Sequence, residues 1–151
     1  MGLKDDLTEK GWLLEVPADL RKERVNGLLS LTFRDMAYAE KGGWDPRFPF
    51  GDAFRAAENL ANAALIATGY RVVSEGHNSA IRTLAFTIHA STDLIDRLER
   101  FRKKHDMRFD EQAGAVSEQE AKEMFSLAQM LNETVRAWLR SNHPELCTEF
   151  T

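Results

Sequence analysis

The sequence predicts an all-α protein, built as an antiparallel bundle of four to five helices. Apolar residues recur at steps of three and four over long stretches, which is the spacing of helices with one buried side. Alternation of apolar and polar residues, which is typical of strands, never lasts more than a few positions. At 151 residues the chain has the size of one domain, with an amino-terminal arm at 1–17 and the bundle at 18–146.

The composition is that of an ordinary folded protein. Hydrophobic residues make up 43% and charged residues 29%, which excludes a largely disordered chain. The net charge of −4 argues against a general nucleic-acid coat, so we expect any polyanion site to be local. A single cysteine, Cys147, cannot form an intramolecular disulfide.

The beginning of the chain carries no recognisable targeting signal. Residues 1–10 are too polar for a signal peptide, and no apolar run approaches the roughly 18 residues that span a bilayer. Asp6 stands where a myristoylation signal has Ser or Thr. We therefore expect a cytoplasmic protein that does not insert into a membrane.

The first half of the bundle is predicted as two helices around a structured loop. A helix over 18–41 ends at Gly42 and Gly43. The loop over 42–51 holds prolines and aromatic residues, which we expect to fold back on the bundle; the alternative is an exposed aromatic lip beside a cleft. Asp52 is predicted to cap an alanine-rich helix over 53–68, whose small side chains indicate close helix contact.

The second half is predicted as three helices, over 78–90, 91–110 and 118–141, after a connection at 70–76. Ser91 or Thr92 caps the middle one. A turn over 110–116 leads to Ser117 and Glu120, which match a capping box for the last helix.

The helix over 91–110 carries most of the concentrated positive charge. Its apolar stripe, Leu94, Leu98 and Phe101, continues at helical spacing onto His105. The core side of this helix is therefore expected to end in an imidazole. The cations around it are Arg97, Arg100, Arg102, Lys103, Lys104 and Arg108.

Metal sites and nucleophile triads find no support in the sequence. Glu-x-x-His pairs, His-Glu-x-x-His, Gly-x-Ser-x-Gly and phosphate-binding glycine loops are all missing. We therefore expect neither a metal nor another cofactor.

The basic end of the 91–110 helix is the candidate site. Arg102 and His105 share a helix face, whereas Arg100 and His105 are about 140° apart on an ideal helix. Imidazole exchanges protons near neutral pH and guanidinium binds phosphate, a combination that suits metal-independent RNA cleavage. The alternative, which spacing alone favours, is a solvated helix face with charges that suit the helix carboxyl end and a boundary histidine.

Three stretches, in this order and spacing, resemble the HEPN domain, the helical module named for higher eukaryotes and prokaryotes nucleotide-binding. They are 64–84 (ALIATGYRVVSEGHNSAIRTL), 96–110 (DRLERFRKKHDMRFD) and 116–139 (VSEQEAKEMFSLAQMLNETVRAWL). The resemblance implies a HEPN-like bundle. It also implies, as in many members, a toxin-like ribonuclease with an Arg-x4-6-His motif at a symmetric dimer cleft; other members bind nucleotides or have lost catalysis.

The family motif can be placed in two registers. In the first, Arg100 and His105 form Arg-x4-His, and Met107 stands where some members have Tyr. The second register follows relatives that carry Arg-Lys-Arg-Asn-x-x-x-Tyr-Asp, so that Arg102 takes the arginine, His105 the asparagine and 109–110 the Tyr-Asp. Arg108 then occupies the late histidine position, so that motif would be degenerate.

Two functions follow from the resemblance. The first is a homodimer that binds RNA or a nucleotide phosphate, with His105 as general base or acid and Arg100 or Arg102 as the phosphate clamp. Arg102, Lys104 and Arg108 are the predicted phosphate-binding residues. The second is a noncatalytic interaction protein that pairs with a nucleotidyltransferase-like or other partner.

Overall fold

The computed structural model describes residues 2–73, 80–112 and 114–147. Helices make up 76% of these residues, which confirms the predicted all-α class. The helices and strands, in chain order, are α1 (Leu3–Glu9), β1 (Leu13–Glu15), α2 (Ala18–Lys41), α3 (Arg47–Ala67), β2 (Tyr70–Val72), α4 (Ala80–Thr87), α5 (Thr92–His105), α6 (Phe109–Gln112), α7 (Glu118–Asn142) and a 3₁₀ turn (Pro144–Leu146). None of the helices within these ranges combines the length and the low polarity needed to cross a membrane.

The alanine-rich helix α3 lies at the centre of the packing. It contacts α2, α4, α5 and α7. Its fully buried alanines are Ala53, Ala56, Ala57, Ala61, Ala63 and Ala64. Because a methyl side chain lets neighbouring backbones approach closely, these alanines account for the number of helices packed around α3. The predicted close helix contact is confirmed.

Helix α3 begins earlier than predicted, so the assignment of Asp52 as its cap is wrong. The helix starts at Arg47, directly after Pro46. The Asp45 carboxylate accepts a hydrogen bond from the Arg47 backbone N–H at 3.1 Å and pairs with the Arg47 guanidinium at 2.7 Å. Asp52 lies in the second turn, where it pairs with Arg55. An acidic residue and a proline thus start the helix six residues before the predicted position.

The aromatic residues of the predicted loop differ in burial, which corrects the expectation that all of them fold back on the bundle. Phe50 is fully buried and meets the Phe101 ring edge-on, with 5.6 Å between ring centroids. Trp44 and Phe48, in contrast, are 94% and 58% exposed. The early start of α3 places Phe48 and Phe50 two positions apart on a helix, so they face different directions.

A small antiparallel sheet joins the amino-terminal arm to the connection after α3. Leu13 pairs with Val72 and Glu15 with Tyr70. The sequence analysis assigned no strand to the arm or to the connection at 70–76, so both strands were missed. Strands of three residues are too short to show alternation, which explains why the pattern did not reveal them.

Helices α4 and α5 end earlier than predicted. Positions 78–79, the predicted start of the 78–90 helix, lie outside the described residues, and α4 ends at Thr87, just before His89 adopts a φ of 55°. Helix α5 starts as predicted, with Ser91 as its cap. The Ser91 hydroxyl accepts a hydrogen bond from the Leu94 N–H at 3.1 Å. It ends at His105 instead of Asp110, and a separate α6 follows.

The last helix is confirmed in detail. Ser117 and Glu120 form both hydrogen bonds of the predicted capping box, at 3.0 and 3.1 Å. Helix α7 ends at Asn142, two residues before Pro144. Its buried side packs against α3 and, to a lesser extent, α2.

Candidate functional site

The basic end of α5 contributes to two separate surfaces. Toward α7, the side chains form the α7-side cluster, which lines a depression of about 240 Å³ and consists of Arg97, Arg100, Lys104, Glu120 and Glu123. Toward α3, they form the α3-side cluster, which consists of Phe54, Arg55, Glu58, Glu99, Arg102, His105 and Asp106. Leu98 and Phe101, buried between the two, fix α5 against the core.

Most of the charge in the α7-side cluster is neutralised within the chain. Arg97 donates to Glu123 at 2.8 Å, and the Lys104 ammonium donates both to Glu120 and to the backbone oxygen of Ala115. The hydrogen bond from Lys104 holds the pKa of Glu120 below its ordinary value. The side chain of Arg100 is exposed at the edge of this depression.

His105 is a half-buried ionisable group at the end of α5. Its ring stacks on Phe54, with 4.6 Å between ring centroids and 26° between the planes. Nδ1 lies 3.6 Å from the nearer Asp106 carboxylate oxygen. Burial lowers the pKa of His105, Asp106 opposes this effect, and Arg55 adds to it. The imidazole is therefore neutral at pH 7, the form that accepts a proton.

Arg102 is held beside His105 by two carboxylates. Its Nε donates to Glu99 at 2.8 Å and its Nη1 to Asp106 at 3.2 Å. Burial on its own would lower the pKa of Arg102, but the two carboxylates outweigh burial and raise it. The Asp106 carboxylate thus lies near both Arg102 and His105.

Helix α3 supplies the residues of this site that the sequence analysis did not identify. Arg55 and Glu58 flank Phe54 and lie close enough to the α5 charges to interact with them. Burial raises the pKa of Glu58, and Asp106 acts in the same direction. A signal was present: polar residues at 52, 55, 58, 59 and 62 recur at helical spacing through an otherwise alanine-rich helix.

The same polar stripe reaches a buried carboxylate on α2. Asp35 is 2% exposed, and its side chain accepts from the Asn59 amide at 3.0 Å and from Arg34 at 3.3 Å. Asp52 lies nearby, and burial raises its pKa. These contacts connect the α3-side cluster to the core of the protein.

The predicted site residues are therefore distributed over three places. Arg102 and His105 lie together, as their spacing indicated. Arg100 and Lys104 lie on the α7 side. Arg108 is beyond the end of α5, where its exposed side chain approaches Asp110 at 3.5 Å. The side chain of residue 109, which the second register uses, lies outside the described part of the structure.

A titration of His105 tests the enclosure of its ring. We expect its pKa, followed by NMR of the imidazole protons, to lie below the ordinary value of about 6.5. Because the unfolded chain then binds the proton more readily than the folded chain, the free energy of unfolding contributed by His105 falls as the pH drops below about 6.5. A pKa above the ordinary value would show that Asp106 outweighs burial.

The α3-side cluster brings together a neutral imidazole, a fixed guanidinium and carboxylates, a set able to transfer protons and bind phosphate. Within the ranges that the structure describes, no three His, Cys, Asp or Glu side chains converge as a metal site would require. The chain matches none of the known family models, curated proteins or solved structures with which it was compared.

Proposed function

We propose that this chain is a HEPN-like cytoplasmic protein that binds RNA and cleaves it without a metal, at a cleft formed by two copies. The observation that supports this function best is the position of Arg102 and His105, three residues apart at the carboxyl end of α5. The two side chains share Asp106, and the burial of His105 on Phe54 keeps its imidazole neutral at pH 7. An unprotonated imidazole is the form that can act as a general base.

In the proposed reaction, His105 removes the proton from a ribose 2′-hydroxyl. The 2′-oxygen attacks the adjacent phosphorus, the bond to the 5′-oxygen breaks, and the products carry a 2′,3′-cyclic phosphate and a 5′-hydroxyl. Arginine side chains stabilise the charge that develops on the phosphoryl oxygens. The leaving 5′-oxygen takes up a proton from the His105 imidazolium, directly or through water, and the imidazole returns to its neutral form.

The proposal includes a second copy because Arg100 and His105 lie on different sides of α5. Arg100 belongs to the α7-side cluster and His105 to the α3-side cluster, so within one chain the two side chains lie on different surfaces. Two copies related by a twofold axis can bring Arg100 of one chain to His105 of the other. Arg102, Lys104 and Arg108 would then bind neighbouring phosphates.

A noncatalytic protein that pairs with a nucleotidyltransferase-like partner is the second candidate. The ion pairs of α5 favour it, because Arg97, Lys104 and Arg102 each contact a carboxylate of the same chain. An arginine or lysine already bound to a carboxylate attracts RNA less strongly.

Complementation between two variants tests the proposed function. We expect the wild-type protein to cleave a mixed RNA pool in EDTA, and Arg100→Ala and His105→Ala homodimers each to lose most of this activity. Co-expressed with different affinity tags and purified as a mixed dimer, the two variants should regain one intact site, and therefore about half of the wild-type rate.

The mixed dimer separates the alternatives. If Arg100 and His105 of the same chain acted together, the mixed dimer would contain no intact site and would stay inactive. A wild-type protein that neither cleaves RNA nor retains it on a filter would contradict the proposed function and leave the noncatalytic candidate.

A further inference from the structure

A long apolar groove runs between α2 and α7, on a surface that does not include the basic end of α5. Two depressions of about 440 and 300 Å³ adjoin there, sharing Glu40 and Phe125. We call this surface the α2–α7 groove. Its apolar lining comes from Phe33, Met36, Ala39, Pro46, Pro49 and Phe125.

The groove exposes apolar surface that the fold does not use. Phe33 projects from α2 into its wall and is 74% exposed. Met36 and Phe125 are half-buried. Removing an exposed phenylalanine from water lowers the free energy of a complex, so this surface is suited to binding a partner.

The charges along the groove are predominantly negative. Glu40, Glu118 and Glu133 line it, against one lysine, Lys122. Lys122 lies 3.6 Å from Glu118, and this ion pair leaves Glu40 and Glu133 as the net negative charges of the groove. A partner that complements this surface combines an apolar stripe with positive charges at its edges.

The dimensions of the groove suit a helix. Along α7 it extends from Glu118 to Glu133, which corresponds to about 22 Å at 1.5 Å per residue. A helix of about four turns has this length, and its residues at i, i+3, i+4 and i+7 would face the groove.

We propose that the α2–α7 groove binds an amphipathic helix of another protein, with basic residues beside its apolar stripe. The described helices of this chain do not offer such a segment to a second copy. Helix α1 is acidic, with the sequence LKDDLTE. Helix α5 is basic and amphipathic, but Leu98 and Phe101 on its apolar side are buried in the core. The proposal does not depend on RNA cleavage.

Model peptides provide the test. The probe is a fluorescein-labelled 14-residue helix of leucine and lysine, with leucine at i, i+3, i+4 and i+7 positions. The comparisons are a scrambled peptide of the same composition and a leucine–glutamate peptide of the same pattern. In fluorescence anisotropy near physiological salt, we expect the patterned basic peptide to bind at least about tenfold more tightly than either comparison peptide.

Variants locate the binding to the groove. Phe33→Ser and Glu133→Lys should each weaken binding of the patterned basic peptide about tenfold. Both side chains are exposed, so the fold is expected to tolerate these changes. Tyr38→Ser is the matched control, because Tyr38 is a half-exposed aromatic of the same helix outside the groove.

Three results would overturn the proposal. Equal binding of the patterned and scrambled peptides would remove the requirement for an amphipathic helix. Unchanged affinity in both groove variants would place the binding elsewhere. A wild-type dimer that dissociates in the Phe33→Ser variant, measured by light scattering, would assign the groove to a second copy of this chain.

Discussion

Replacing His105 by alanine is expected to lower the rate of metal-free RNA cleavage by about 10²- to 10⁴-fold, the usual contribution of a general acid or base. Alanine removes the proton acceptor while Arg102 keeps its carboxylate partners, Glu99 and Asp106. The measurement is single-turnover cleavage of a labelled RNA in EDTA, at protein concentrations where dimer content is matched. His105→Gln, which keeps a polar side chain of similar length but cannot act as the base, should be equally impaired.

His89→Asn is the matched control for this loss. His89 is an exposed histidine at a positive φ, a conformation that asparagine tolerates well. This variant should cleave RNA at the wild-type rate. A folded His105→Ala protein that still cleaves RNA at the wild-type rate would contradict the role of His105 as the general base.

The pH dependence of RNA cleavage is a second, independent test of His105 as the base. Since the base acts in its neutral form, the cleavage rate of the wild-type protein should rise with pH and level off above the lowered pKa of His105. The midpoint should agree with the pKa from NMR titration. Agreement between the two values would assign the rate to His105 in particular.

Local features of the chain were predictable because their signals are local. The stripe of α5, its Ser91 cap and the capping box of Ser117 and Glu120 each involve residues within a few positions of one another. The same holds for the shared face of Arg102 and His105. The start of α3 was mistaken because the prolines and glycines of 42–51 indicated a loop, whereas the helix already begins at Arg47, next to Asp45.

The counter-ions of α5 were not predictable in the same way. Glu123 and Glu120 reach Arg97 and Lys104 from a different helix, after the packing of α5 and α7 has brought them together. The stacking of His105 on Phe54 likewise depends on where α3 and α5 meet. Charge counted along a sequence therefore overstates the positive charge that α5 presents to a ligand.

Replacing Phe54 by alanine is expected to lower the free energy of unfolding by about 3–5 kcal/mol, the usual cost of removing a buried aromatic ring. Phe54 is fully buried in the core and also forms the surface on which His105 rests. The cavity left by the ring would expose the core side of the imidazole. Urea unfolding followed by circular dichroism at pH 7 measures the loss.

Two further variants make this result specific. Phe48→Ala removes the same ring from a position that is 58% exposed, and should change the free energy of unfolding by no more than about 0.5 kcal/mol. Phe54→Leu keeps most of the volume and should cost less than Phe54→Ala. Losses of similar size in Phe54→Ala and Phe48→Ala would contradict the position of Phe54 between the core and His105. A large loss confined to Phe54 would show that the ring under the imidazole is also part of the core. Substitutions of Phe54 that alter the pKa of His105 would then also lower the free energy of unfolding.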